Sequence, residues 1–123
     1  MLALLPVMLG GALGAGARYL VGMAALRGLG PGFPWGTLAV NLIGGLLMGV
    51  LVGVLARLSA GGEQARLLLG VGVLGGFTTF SAFSLETWTM VERGALGLAA
   101  GYVAASVIGS VALLGAGLWL MRP

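Results

Sequence analysis

The sequence contains no cysteine, histidine, lysine or aspartate. Without Cys and His there are no disulfides, no thiolate or imidazole metal ligands and no conventional catalytic triad. Charge is scarce as well: 7% of the 123 residues are charged, where soluble domains carry roughly a quarter. The cations are all arginines (Arg18, Arg27, Arg57, Arg66, Arg93 and Arg122), and the acids are Glu63, Glu86 and Glu92. A nucleic-acid surface needs Lys and Arg clustered on one face. These arginines are scattered singly, so no nucleic-acid partner is expected.

What is abundant is apolar surface, at 59% of the chain. A membrane-spanning helix needs about 20 mostly apolar residues. The charges and turn residues cut the chain into such pieces. The spans are predicted at about Leu2–Leu26, Gly36–Ala56, Leu67–Glu92 and Ala95–Met121. Between them lie the Gly/Pro loop RGLGPGFPW, the polar stretch RLSAGGEQAR and the tight turn Arg93–Gly94. The expected fold is therefore a single all-α domain over residues 1–123, multi-pass in the cell membrane, with only short loops outside the bilayer. The first span lacks the charged leading region of a cleaved signal, and three more spans follow, so no cleavage is expected.

The Lys/Arg balance of short loops sets membrane orientation. Arg57, Arg66 and Arg122 fall at one face; Arg27 and Arg93 fall at the other, with Arg18 near that end of the first span. No bias results. Insertion in both orientations is expected, and two oppositely inserted copies would form an antiparallel homodimer. The alternative is a weak bias that a partner helps to fix. The 25 glycines supply the packing. Lipid gives helices no hydrophobic drive to associate, so close approach at small residues must provide it. Gly10/Gly14, Gly45/Gly49/Gly53 and Gly97/Gly101/Ala105/Gly109 each recur every four residues and make flat faces.

Several polar residues sit within the apolar runs. Arg18 precedes Tyr19 towards the end of the first span, where Arg can snorkel and Tyr anchor; the alternative is a positive vestibule that attracts anions. Asn41 lies well inside the second span, as an interhelical hydrogen-bonding group or as an anion ligand. In the third, Gly75-Gly76 followed by Thr78-Thr79 is poor helix at the expected midplane. A break there frees backbone groups, which survive in lipid only where protein buries them or they line a site. Unwound carbonyls of this kind hold cations in transporters; a simple kink is the alternative. Phe80 and Phe83 share a face beyond the break, and aromatic rings carry a positive edge that suits a small anion. Ser81 and Ser84 add hydroxyls. Glu86 is an intramembrane carboxylate, a functional candidate by default. Tyr102, Ser106 and Ser110 stand at i, i+4 and i+8, a hydroxyl stripe on one helix face. An interior of amide, hydroxyl and ring-edge donors without a buried Lys suits weak, multi-site binding of a hard anion.

On GGALGAGARY, GTLAVNLIGGLLMG and above all GGFTTFSAFSLE, over essentially its whole length, the chain resembles the CrcB/Fluc fluoride channels. Ala82 departs from a common Thr of that family and Leu46 from a common Phe. The resemblance implies passive export of fluoride, which lowers cytoplasmic fluoride and gives resistance to it. It implies an antiparallel dual-topology homodimer with two pores and a single structural sodium ion on the dimer axis, held by the carbonyls of Gly75 and Thr78. By motif position Phe80 and Phe83 are the aromatic box, and Ser81 is a pore residue that offers its hydroxyl to fluoride. Asn41 is the pore amide, Tyr102, Ser106 and Ser110 the polar track, Arg18 the vestibule arginine and Glu86 a supporting glutamate.

Two other classes compete. Small multidrug exporters are also short, four-helix and dual-topology, but carry their working carboxylate in the first helix, which here has no acid. A membrane scaffold would use the glycine faces but not the broken third span. With one buried Glu and no His or Cys, an enzyme is not expected.

Overall fold

A computed structural model describes residues 2–58 and 61–122; Ser59 and Ala60 of the predicted polar loop lie outside the described residues. The architecture is all-helical: α1 (Leu4–Leu29), α2 (Trp35–Leu55), a single turn α3 (Gly62–Ala65), a π-helical segment (Arg66–Leu74), α4 (Gly75–Phe77), α5 (Phe80–Glu92) and α6 (Leu96–Leu120). Four stretches are long and apolar enough to cross a membrane: α1, α2, the composite Gly62–Glu92, and α6. The protein is thus an all-α membrane protein of four spans.

The ends of the helices follow local chemistry. α1 continues past Arg27 because a single charged residue does not oppose helix. It stops at Gly30, whose φ of 78° only glycine adopts readily and whose N–H closes on the Leu26 carbonyl at 2.9 Å. The turn between α5 and α6 uses Gly94 in the same way, at φ 78°. The third span starts earlier than the apolar run because GEQA, though polar, is compatible with helix, and Glu63 pairs with Arg66 at 2.7 Å on its exposed side.

Glycine faces set which helices touch. A Cβ on Gly45 would lie 2.7 Å from the Ser110 carbonyl oxygen, and one on Gly117 would lie 2.7 Å from the Val50 nitrogen. α2 and α6 therefore pack backbone to backbone, with Gly49 equally tight against Leu114. On the other side of the bundle, a Cβ on Gly10 would meet Val73 N at 2.8 Å and one on Gly14 would meet Phe77 N at 2.8 Å, which seats α1 on the third span. Gly97 and Gly101, in contrast, have nothing within 4 Å. Their half of the predicted α6 face is unused within the protomer.

The buried core is small and lies around α5 and the first half of α6: Phe83, Met90, Ala99 and Tyr102, with Phe33 and Leu38 packed against it. Much of the remaining apolar surface faces outward, including Val107, Ile108 and Val111 of α6. This is the inversion expected of a chain whose solvent is lipid or another apolar protein surface.

Candidate functional site

The site forms where the third span stops being helical. α4 ends at Phe77, Thr78 is extended (φ −86°, ψ 158°), Thr79 is extended (φ −149°, ψ 121°), and α5 begins at Phe80. Thr79 caps the new helix: its Oγ1 accepts from the Ala82 N–H at 3.2 Å, a normal N-cap bond. The interruption would leave backbone groups bare, and three side chains answer it. Asn41 Nδ2 donates to the Thr79 carbonyl at 3.0 Å while Asn41 Oδ1 accepts from the Thr79 N–H at 2.8 Å. Arg18 Nε donates to the Gly76 carbonyl at 3.1 Å. Thr78 turns back, its N–H (3.1 Å) and Oγ1 (2.9 Å) both donating to the Leu74 carbonyl.

The carbonyls of Leu74, Gly76 and Thr79 are thereby claimed. Those of Gly75 and Thr78 accept no hydrogen bond among the described residues. Both residues border a cleft of about 400 Å³. Asn41, Phe80, Phe83, Ser106 and Ser110 line the same cleft. Seven of the residues singled out in the sequence thus meet at one surface.

Hydroxyl positions differ along α6. Ser110 Oγ donates to the Asn41 carbonyl at 3.3 Å. Ser106 is 6% exposed, and its Oγ has no partner among the described residues. A buried hydroxyl left unpaired costs on the order of 1–3 kcal/mol, so this one is available to a ligand in the cleft. Tyr102 is buried, and its hydroxyl donates to Glu86 Oε1 at 2.9 Å; Thr37 Oγ1 donates to Glu86 Oε2 at 2.9 Å. Phe83 separates this triad from Phe80, with ring centroids 5.6 Å from Phe80 and 5.2 Å from Tyr102.

Two further cavities flank the cleft. One of about 320 Å³ is lined by Arg18, Thr37, Thr79 and Ala82. Another of about 430 Å³ lies under the α1–α2 loop, against Phe33, Thr37, Glu86, Thr89 and Arg93. Ser81 lines none of the three; its Oγ is 3.3 Å from Thr79 Oγ1 beside the break. Phe80 is 77% exposed, so a lone protomer covers one of its most apolar site residues on one side only. No group of three His, Cys, Asp or Glu able to hold a metal occurs among the described residues.

Sequence reasoning missed Thr37, Thr79 and Phe33. Thr37 stands one turn before Asn41, at i and i+4, and that spacing was the available signal. Thr79 read as half of a poor-helix pair, without the capping role that an extended Thr before a helix fulfils. Phe33 sits in a Gly/Pro loop whose path no periodicity reveals.

The family model described as CrcB-like protein, Camphor Resistance (CrcB), matches residues 5–118. The chain is 59% identical over 120 residues to a protein named fluoride-specific ion channel FluC from Sphingopyxis alaskensis, covering 98% of this chain and 95% of that one. It is 62% identical over 123 residues to the protein of the same name from Phenylobacterium zucineum, covering 99% and 97%. The corresponding Mesorhizobium japonicum protein is 52% identical over 122 residues, covering 99% and 98%. With its four spans and this near-complete match, the chain belongs to the CrcB family.

Proposed function

We infer that this protein is a fluoride-specific ion channel of the cell membrane, and that it acts without enzymatic chemistry. The observation that carries the reading is the near full-length match to fluoride-specific channels in a chain whose interior cleft offers donors but no fixed cation. Fluoride is small and strongly hydrated, so leaving water demands several hydrogen bonds at once. Ser106 Oγ is buried and free to donate, and the second amide hydrogen of Asn41 is not used by its bond to Thr79. Ring edges at Phe80 and Phe83 add weak positive potential. None of these groups holds an anion strongly, which conduction requires. In this reading Arg18 marks the vestibule, Ser81 the polar margin of the break, and Tyr102, Ser106 and Ser110 the track along α6. Glu86 organises the hydroxyls of Thr37 and Tyr102.

The working unit in this proposal is an antiparallel homodimer of two oppositely inserted copies. Its support is threefold: the even distribution of arginines, the exposure of Phe80, and the unused glycines at Gly97 and Gly101. The break at Thr78–Thr79 would then lie near the membrane midplane, where only buried or site-lining backbone is tolerated.

A structural sodium ion fits the residues present. Hard cations take oxygen ligands, and the Gly75 and Thr78 carbonyls are unclaimed backbone oxygens of residues on the cleft. With each copy supplying the same pair, the ion would neutralise the dipoles of these carbonyls.

The test is fluoride efflux from proteoliposomes read with a fluoride electrode, beside a parallel chloride assay. The expected result is fast fluoride efflux without chloride efflux and without a pH gradient. Absence of fluoride efflux from folded protein would overturn the reading.

A further inference from the structure

The α1–α2 loop places an aromatic ring where no motif predicts one. Pro34 sits at φ −79° and ψ 64°, and the Trp35 N–H donates to the Phe33 carbonyl at 2.8 Å. Those are the angles and the i→i+2 bond of an inverse γ-turn. Pro31 and Pro34 each fix φ, and Gly30 supplies the reversal out of α1. The loop is therefore stiff, and it aims Phe33 inward.

Phe33 meets Tyr102 edge-on, with ring centroids 5.3 Å apart and planes at 84°. Phe83 packs on the same ring at 5.2 Å, its plane tilted by 48°. In contact with both rings, Tyr102 is 1% exposed and its hydroxyl reaches Glu86. Phe33 also forms part of the wall of the 430 Å³ cavity that Glu86 and Arg93 line. Removing the ring would join that cavity to the face of Tyr102 and leave the ring free to turn.

We propose that Phe33 is a positioning residue for the channel: it fixes the Tyr102 ring so that its hydroxyl stays on Glu86, and it seals that end of the polar track. The proposal rests on the fluoride-channel reading. A loop residue that merely stabilised the core would act whether or not Tyr102 carried a hydroxyl. A positioning residue acts through that hydroxyl.

The experiment follows from this difference. Phe33→Ala and Phe33→Leu are made in the native chain and in Tyr102→Phe, and fluoride efflux is measured for each assembled protein. Residues that share one contact network couple. In the native background, loss of the ring is expected to slow efflux about tenfold, and in Tyr102→Phe by no more than about twofold. Equal losses in both backgrounds, or no loss in either, would overturn the proposal. If Phe33→Ala does not assemble, Phe33→Leu keeps the bulk and carries the test. A second readout does not depend on fluoride. In a Tyr19→Phe chain, Tyr102 is the sole tyrosine, and nitration by tetranitromethane should be slow with Phe33 present and fast with Ala there. If the native chain fails to conduct fluoride while the Tyr19→Phe chain shows this protection, the channel reading is rejected and the positioning of Tyr102 is kept. Equal nitration would reject the positioning itself.

Discussion

Asn41 grips Thr79 at both ends of its backbone, donating to the carbonyl at 3.0 Å and accepting from the amide at 2.8 Å. One side chain on α2 thus supplies the acceptor that the extended Thr79 N–H lacks and adds a donor to its carbonyl. The bond pair also fixes the orientation of the amide and leaves one N–H free at the cleft. The same geometry explains why Asn, with a donor and an acceptor side by side, stands in the middle of a largely apolar helix.

Asn41→Asp should therefore do more than remove a pore ligand. The carboxylate has no donor for the Thr79 carbonyl, and its second oxygen would face that carbonyl instead. Loss of a buried hydrogen bond with repulsion in its place costs on the order of 1–3 kcal/mol. Lower thermal stability in detergent, together with loss of fluoride efflux, is expected. Full efflux from Asn41→Asp at unchanged stability would contradict both roles. Asn41→Ala serves as the control that removes the grip without adding charge.

Phe80→Ile separates assembly from conduction. Phe80 is 77% exposed within the protomer, and its ring packs against that of Phe83. An aliphatic replacement keeps apolar area for a partner surface but has no positive ring edge. The elution of the native protein in size-exclusion chromatography should persist while fluoride efflux falls by at least about tenfold, the rate effect of losing ~1.4 kcal/mol in stabilisation. Unchanged efflux would remove the ring from the conduction path.

Sequence and structure agree where periodicity governs. The four apolar runs and the small-residue faces of α1 and α2 are local patterns; of the poor-helix stretch Gly75–Thr79 the structure keeps Gly75–Phe77 helical and leaves only Thr78 and Thr79 extended. The runs and faces were legible because lipid imposes length and backbone satisfaction on every span. Partner choices were not legible. Nothing in the sequence says that Arg18 spends its Nε on Gly76, that Asn41 faces Thr79, or that Phe33 returns to Tyr102. Those contacts join residues far apart in the chain, and their geometry depends on helix register and loop path. The split of the α6 face also escaped the pattern. Gly97, Gly101 and Gly109 look alike by spacing, yet only Gly109 approaches a neighbour, the Leu42 side chain.

Glu86 accepts hydroxyls from Thr37 and Tyr102 with its two oxygens, at 2.9 Å each. Glu86→Gln keeps shape and one acceptor, and a hydroxyl can rotate to accept from the new amide. Glu86→Ala leaves both hydroxyls without their acceptor, each at a cost on the order of 1–3 kcal/mol where it stays buried and unpaired. The Ala variant should melt well below the Gln variant in a detergent thermal shift. Equal melting would mean that the two hydroxyls find other partners.

The glycines give a test that distinguishes packing inside the protomer from packing between copies. A methyl on Gly49 would press into the Leu114 carbonyl, in a backbone contact with no flexible atom to yield. Overpacking of this kind costs typically ~1–3 kcal/mol. Gly49→Ala should therefore lower thermal stability whatever the oligomeric state. A methyl on Gly97 or Gly101 meets nothing within 4 Å, so within one copy Ala is tolerated there and improves helix propensity by about 1 kcal/mol. If that half of α6 is the surface where two copies meet, Gly101→Leu should weaken the dimer while the helical content of each chain stays intact. Circular dichroism and subunit exchange between differently labelled copies read these separately. Faster exchange in Gly101→Leu with unchanged helix assigns the face to the interface; unchanged exchange assigns it to lipid and moves the interface to the Phe80 surface.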